Sequence, residues 1–297
     1  MSNVNETQTS VGQDQEAFWD HDSHDEFYQY YAQASSTPEA HRRFRSIRDA
    51  VLRVQRQRWG ERLYEVADIG CGAGTQSFLW AELGHRVFGL DVNKPLLDLA
   101  SKRARARQYE VDFRLGSATS LPLPDNSVDI CLAVELLEHV ADWTSCLNEF
   151  ARILRPNGVL FLSTTNKLCP RQEEFKLPLY SWYPGPAKRY CEHLALTNRP
   201  QLANYAKYPA VNWFSYYSLR NALRERCFET VMDRFDLIDT AKKGKLANGV
   251  ITSVRMVPPL RWLGHVATSG TIVLGVKGNG FAYLENPRPT PPGQNAH

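Results

Sequence analysis

The sequence predicts an α/β fold: a seven-stranded, mostly parallel sheet with helices on both faces, plus an aromatic-rich insertion after the fifth strand. Three observations lead to it. Between Gly60 and Asn166, short β-rich apolar runs alternate with helically patterned stretches, as a parallel sheet with crossover helices requires. A glycine-rich turn, Gly70-Cys71-Gly72-Ala73-Gly74, separates the first strand of this series from its first helix. Beyond Asn166 the alternation stops, and two further strands follow only after a long irregular stretch.

The elements follow in order. Residues 37–58 read as a helix, with Thr37 as N-cap, Pro38 in the first turn, and Phe44, Ile47, Val51 and Val54 at helical spacing. Its stretch 42–58 holds seven Arg against one Asp, which reads as a solvated face, an acidic-ligand site or a surface for anionic membrane. Strands are expected at 64–69, 86–90, 110–115, 128–134 and 159–163. Helices are expected at 75–83, from the Asn93 cap and Pro95 to about 107, and after the fourth strand, where Trp143, Leu147, Phe150 and Leu154 share a face. Helix 218–226 and strands 228–232 and 271–276 close the sheet.

The corresponding organisation is a flexible arm (1–14), an N-terminal helical segment (15–59), a core (60–166), an insertion (167–217), the rest of the core (218–285) and a Pro-rich tail (286–297). The insertion concentrates aromatics: 11 of the chain's 33 fall between Phe175 and Tyr217, so it reads as a lid or binding segment.

Composition excludes several classes. With 43% hydrophobic and 23% charged residues among 297, the chain is neither disordered nor low-complexity. A net charge of +3 gives no reason to expect nucleic acid as a partner. No apolar stretch is long enough to cross a membrane, and the first residues lack the basic and apolar regions of a signal peptide. The six cysteines form no CxxC pair, which points to reduced thiols, no zinc site built on cysteine and a cytoplasmic location.

The turn at Gly70, Gly72 and Gly74 lets backbone approach a ligand at a helix N-terminus. Neither register fits GxGxxG, since Thr75 or Ser77 stands at the third glycine, and no GK[ST] follows to make a P-loop. Asp91 ends the next strand, 21 residues after Gly70, where a carboxylate can accept bonds from both hydroxyls of a ribose.

Four blocks in this order carry a resemblance: Asp68-x-Gly70-x-Gly72-x-Gly74 with Asp91; Leu121-Pro-Leu-Pro-Asp125-Asn-Ser-Val-Asp129; Glu135-Leu-Leu-Glu138-His139-Val140; and Leu154-Arg-Pro-Asn-Gly158. Over 60–166 the chain resembles class I S-adenosylmethionine-dependent methyltransferases, which have a Rossmann-like fold. It is most similar to the ubiquinone-biosynthesis O-methyltransferases of the type 11 group. The resemblance implies S-adenosyl-L-methionine as cofactor. Gly70, Gly72 and Gly74 would face its methionine part, with Asp68 on the amino group. Asp91 would hold the ribose, Val92 would lie beside the adenine, Ser117 and Ala118 at the adenine edge, and Val134 near the sulfonium. Many relatives carry Asp where Ser117 stands, so that contact is the one that departs from the pattern.

The same resemblance puts Glu135, Glu138 and His139, with Asn166 downstream, at the reacting end. On a helix the first three would share one face. They would then hold a divalent metal with Asn166, or leave His139 as a lone general base, or serve only to orient and pack. The aromatic insertion, with Lys176, Lys188 and Arg189 among its rings, suits a small-molecule or lipid-linked acceptor, quinol-like or glycosylated, and peripheral contact with a membrane. The alternative is that the rings form the insertion's own core. The rival functions are a catalytically degenerate cofactor-binding protein and an N- or protein methyltransferase.

Overall fold

The computed structural model describes residues 35–203 and 210–279. The flexible-arm and Pro-rich-tail expectations lie outside them. Helix α1 (Pro38–Trp59) is capped by the Thr37 hydroxyl, which accepts the Ala40 amide. It is followed by β1 (Glu65–Ile69), α2 (Thr75–Ala81), β2 (Arg86–Asp91), α3 (Lys94–Arg107), β3 (Val111–Leu115), β4 (Val128–Val134), α4 (Trp143–Ile153) and β5 (Leu154–Thr165). Then come α5 (Gly185–Leu196), α6 (Tyr216–Arg224), β6 (Phe228–Asp233), α7 (Lys245–Met256), α8 (Pro258–Val266) and β7 (Gly270–Lys277).

The seven strands form one sheet in the order β3-β2-β1-β4-β5-β7-β6. β7 runs antiparallel to both its neighbours, and the other pairs are parallel. This is the Rossmann-like architecture expected. The chain leaves β1 in one direction along the sheet for β2 and β3, and resumes on the other side at β4. The reversal puts a crevice at the carboxyl ends of β1 and β4, where open α/β sheets bind ligands.

Alternation along the strands builds a core on each face. On β4, Cys131 and Ala133 join Ala67, Leu147, Phe150, Leu219 and Leu223, covered by α4 and α6. Ile130 and Leu132 point the other way and meet Val51, Val54, Val66, Trp80 and Phe161, beneath α1.

The arginine-rich helix is mostly spoken for. Arg48 bonds the Leu79 carbonyl and Glu82, Arg53 reaches the Leu237 carbonyl, Arg56 pairs with Glu61 and Arg43 with Glu135. The solvated-face reading, with pairing across elements, accounts for the run. Three helices were not expected: α5 inside the insertion, and the α7–α8 pair between β6 and β7. The strand expected at 159–163 begins earlier, at Leu154, because Asn157 takes a left-handed conformation (φ 61°) and lets the chain turn without leaving the sheet.

Candidate active site

The loop after β1 is set by backbone geometry. Gly70, Gly72 and Gly74 all have positive φ (73°, 50° and 80°), a region that side-chain-bearing residues rarely enter. A Cβ on Gly74 would sit 2.8 Å from the Phe78 ring, so that glycine also serves packing. A Cβ on Gly72 would meet nothing within 4 Å, so the loop is open at that point. The Gly70 and Cys71 amides both donate to the Leu90 carbonyl, tying the turn to β2.

Asp91 locks the same turn. Its Oδ2 accepts the Gly72 amide at 2.8 Å and its Oδ1 the Asn93 amide at 2.8 Å. Burial pushes its carboxyl above the usual range, and these amides oppose the shift. The Val92 amide also opposes it, so three backbone donors converge on this carboxylate. Asp68 is buried behind the glycines, where Ser77 Oγ donates to Oδ2 at 2.6 Å and Gln76 Nε2 lies 3.4 Å from Oδ1. Burial raises its pKa to about 7, with the Asp91 charge adding to the effect and Ser77 opposing it.

On the expected adenine side, Val92 is 47% exposed beside Asp91. The Ser117 hydroxyl lies 2.8 Å from Thr119 Oγ1, and the Ala118 methyl is buried in the core, leaving only its backbone to face a ligand. Val134 ends β4 at the crevice.

The reacting-end residues differ from expectation. Glu135, Glu138 and His139 do not share a helix face. Glu135 is left-handed (φ 53°) directly after β4, and only Leu137–His139 coil, as a single 3-10 turn. Glu135 Oε1 accepts from Ser163 Oγ (2.7 Å) and pairs with Arg43 (3.0 Å). Glu138 is buried and accepts from Thr164 Oγ1 at 2.8 Å. Its carboxyl is pushed well above the usual carboxylate range by burial and by the Glu135 charge, with the Thr164 hydroxyl opposing the shift. Half-buried His139 closes the turn. The metal expectation fails here. Among the described residues no group of three or more His, Cys, Asp or Glu is placed to hold an ion. Asn166 is consumed structurally, its amide donating to the His265 and Thr268 carbonyls and its oxygen accepting the Leu168 amide.

The insertion supplies a group that sequence reasoning missed. Glu174 is raised to about 7 by burial and by the Glu135 charge, and its charge in turn raises Glu138. The acidic Glu173-Glu174 pair was visible in sequence, but nothing local tied it to Glu135. The strap Val211-Asn212 donates two amides to the Glu138 carbonyl, and the Asn212 side chain donates to the carbonyls of Leu137 and Val140. The insertion therefore grips the loop that carries Glu138. Its rings pack largely on each other: Phe175 stacks on Tyr180 at 4.1 Å, and Trp213 meets Tyr180 at 5.5 Å. Lys188 tucks in among them, 4.4 Å from the Trp213 ring centre, and donates to the Ser181 carbonyl. The core reading accounts for most of these aromatics.

Comparison with known proteins agrees with this geometry. Residues 67–162 match a family described as a methyltransferase domain. A protein of Mycolicibacterium smegmatis named as a probable S-adenosylmethionine-dependent methyltransferase is 38% identical over 104 residues, 35% of this chain and 39% of that one. A malonyl-acyl-carrier-protein O-methyltransferase of Yersinia pestis is 41% identical, over 34% of this chain and 36% of its own length. A ubiquinone biosynthesis O-methyltransferase of Bartonella tribocorum is 35% identical, over 35% of this chain and 42% of its own. The chain thus aligns with less than half the length of each of these relatives. The crystal structure of the PH0226 protein from Pyrococcus horikoshii shares the fold, with a TM-score of 0.52 and 14% identity over 86% of this chain and 99% of that one.

Proposed function

We propose that this chain, whose residues 67–162 are a methyltransferase domain, transfers the methyl group of S-adenosyl-L-methionine to an oxygen of a small or lipid-linked acceptor. The observation that carries the reading is the open, left-handed turn at Gly72, braced by Asp91, at the sheet's topological switch. The Asp91 carboxylate would take the ribose with the acceptor capacity that its backbone donors leave, while those donors hold the loop. Asp68 would meet the methionine ammonium, and its pKa of about 7 would fall beside that cation. Val92 and the edge at Ser117 and Ala118 would bound the adenine, with Val134 beside the sulfonium.

The sulfonium donor is already activated, so this chain's residues need only align the acceptor and take its proton. His139 would act as the general base. Glu135 and Glu138 would position the reacting loop, and Glu174 would bring a carboxyl that ionises near neutral pH. An O-acceptor agrees with the O-methyltransferase names of two relatives, and the aromatic insertion favours one that is partly apolar. The test is calorimetric binding of the cofactor, followed by transfer of labelled methyl into a cell extract and identification of the labelled product. Binding without transfer would leave a cofactor-binding protein, and a labelled amine or protein would move the acceptor class.

A further inference from the structure

The α7–α8 pair is an amphipathic hairpin turned inside out. α7 has no buried residue. On its body side, Arg255 donates to the carbonyls of Phe235, Asp236 and Ile238, and Arg261 binds Asp233 and Asp236. His265 Nε2 lies 2.9 Å from Asp233, and Gly264 sits so close to the Phe235 ring that a Cβ would clash at 2.5 Å. The polar anchors thus face the protein while the apolar side chains face out: Leu246 is 90% exposed, Val250 65%, Met256 75%, Leu260 41%, Trp262 47% and Leu263 53%. Lys243 and Lys245 are exposed at the start of this surface, and the chain has no Asp or Glu between Asp239 and Glu285.

We propose that the α7–α8 hairpin is a docking surface for an anionic lipid bilayer. Apolar residues at helical spacing, an aromatic of interfacial type and lysines at one end are what an interfacial helix needs to lie in a headgroup layer. Charge chooses the occupant. A bilayer of anionic lipid complements helices that carry lysines and no acid of their own, whereas a second copy on the same face would press two such lysine-bearing faces together. The location serves the site as well. β7 begins directly after the hairpin, with Gly270 paired to Thr165 at the carboxyl end of β5, and Asn166 ties the hairpin's base to that strand end. A bilayer held here lies toward the same carboxyl end of the sheet as the proposed site. The surface is distinct from the aromatic insertion, and the inference does not depend on the acceptor's identity.

The test is cosedimentation of the full chain with phosphatidylcholine vesicles with and without phosphatidylglycerol, across a salt series. Binding should require the anionic lipid and weaken with salt. Leu246→Asp and Trp262→Ala should each weaken it about tenfold or more, and Lys243→Glu with Lys245→Glu should do so at low salt only. Brominated lipid should quench the wild-type fluorescence, and Trp262→Phe should remove that component. Melting curves would establish that each variant folds, with Val250→Asp replacing any that does not. No vesicle binding at low salt, or binding unchanged in folded Leu246→Asp and Trp262→Ala, would overturn the proposal. So would a self-associated wild type that Leu246→Asp converts to monomer with vesicle binding intact.

Discussion

Asp91 Oδ2 accepts the Gly72 amide at 2.8 Å, so the acid at the end of β2 and the middle glycine of the β1 loop form one unit. The carboxylate holds the loop open before any ligand arrives. Asp91→Ala would remove both this brace and the proposed ribose bonds. Hydrogen bonds to a charged group contribute about 1.5–3 kcal/mol, so cofactor affinity should fall roughly 10- to 100-fold. Calorimetry on the folded variant checks it, and unchanged affinity would remove Asp91 from the site.

Gly72 and Gly74 separate fold from function. Alanine at Gly74 meets the Phe78 ring at 2.8 Å as well as an unfavourable φ, and should lower the melting temperature clearly. Alanine at Gly72 has free space and bears only the left-handed conformation, about 1–2 kcal/mol. If the open side of Gly72 is where the cofactor lies, Gly72→Ala should stay folded yet bind it at least about tenfold more weakly. A folded Gly72→Ala protein with normal affinity would place the cofactor elsewhere.

Asp68 should release a proton when the cofactor binds. With a pKa of about 7, it is about half protonated at pH 7, and an arriving ammonium would drive that proton off. Calorimetry at pH 7 in buffers of different ionisation enthalpy should report about half a proton released, and close to none at pH 9. The stability sign follows from the same shift. A carboxyl whose folded pKa lies above its unfolded value favours the fold most at low pH, and that contribution is lost as pH rises from about 4 to 7. Without cofactor, Asp68→Asn should therefore gain in melting temperature relative to wild type across that range. A constant difference would mean that Asp68 does not titrate there.

Much of this was legible in sequence. β1 to β5, the caps at Thr37 and Asn93 and the glycine turn all announce themselves by local chemistry: alternation, Asx and Thr caps, and glycines where φ is positive. What escaped depends on tertiary placement. Glu135 takes φ 53° because the chain reverses after β4 under its bonds to Ser163, and no local signal distinguishes that from a first helical turn. Glu174 lies 39 positions from Glu135 in sequence, and only the fold brings their charges together. Asn166 is a candidate ligand only through the family resemblance, and the carbonyls that take its amide, those of His265 and Thr268, lie about a hundred residues away, beyond any local signal. The α7–α8 hairpin hides its helices behind Pro258-Pro259 and carries its apolar side outward, against the usual expectation for a helix on a core.

The carboxylates around the reacting loop should set the pH profile. Glu174 ionises at about 7, and Glu135 lifts both Glu174 and Glu138 by repulsion. Once the acceptor is known, kcat/KM should rise with pH through about 7 and then level off. His139→Ala should lose roughly 100-fold or more on the plateau, as removal of a general base does. Glu135→Gln removes the negative neighbour, which makes ionisation of Glu174 and Glu138 easier, so the rising limb should move to lower pH. Cofactor affinity should be unaffected in both variants, because neither residue is assigned to the cofactor. A limb that stays in place or moves to higher pH in Glu135→Gln would show that this cluster does not govern the proton. Full activity in His139→Ala would take the base away from His139 altogether.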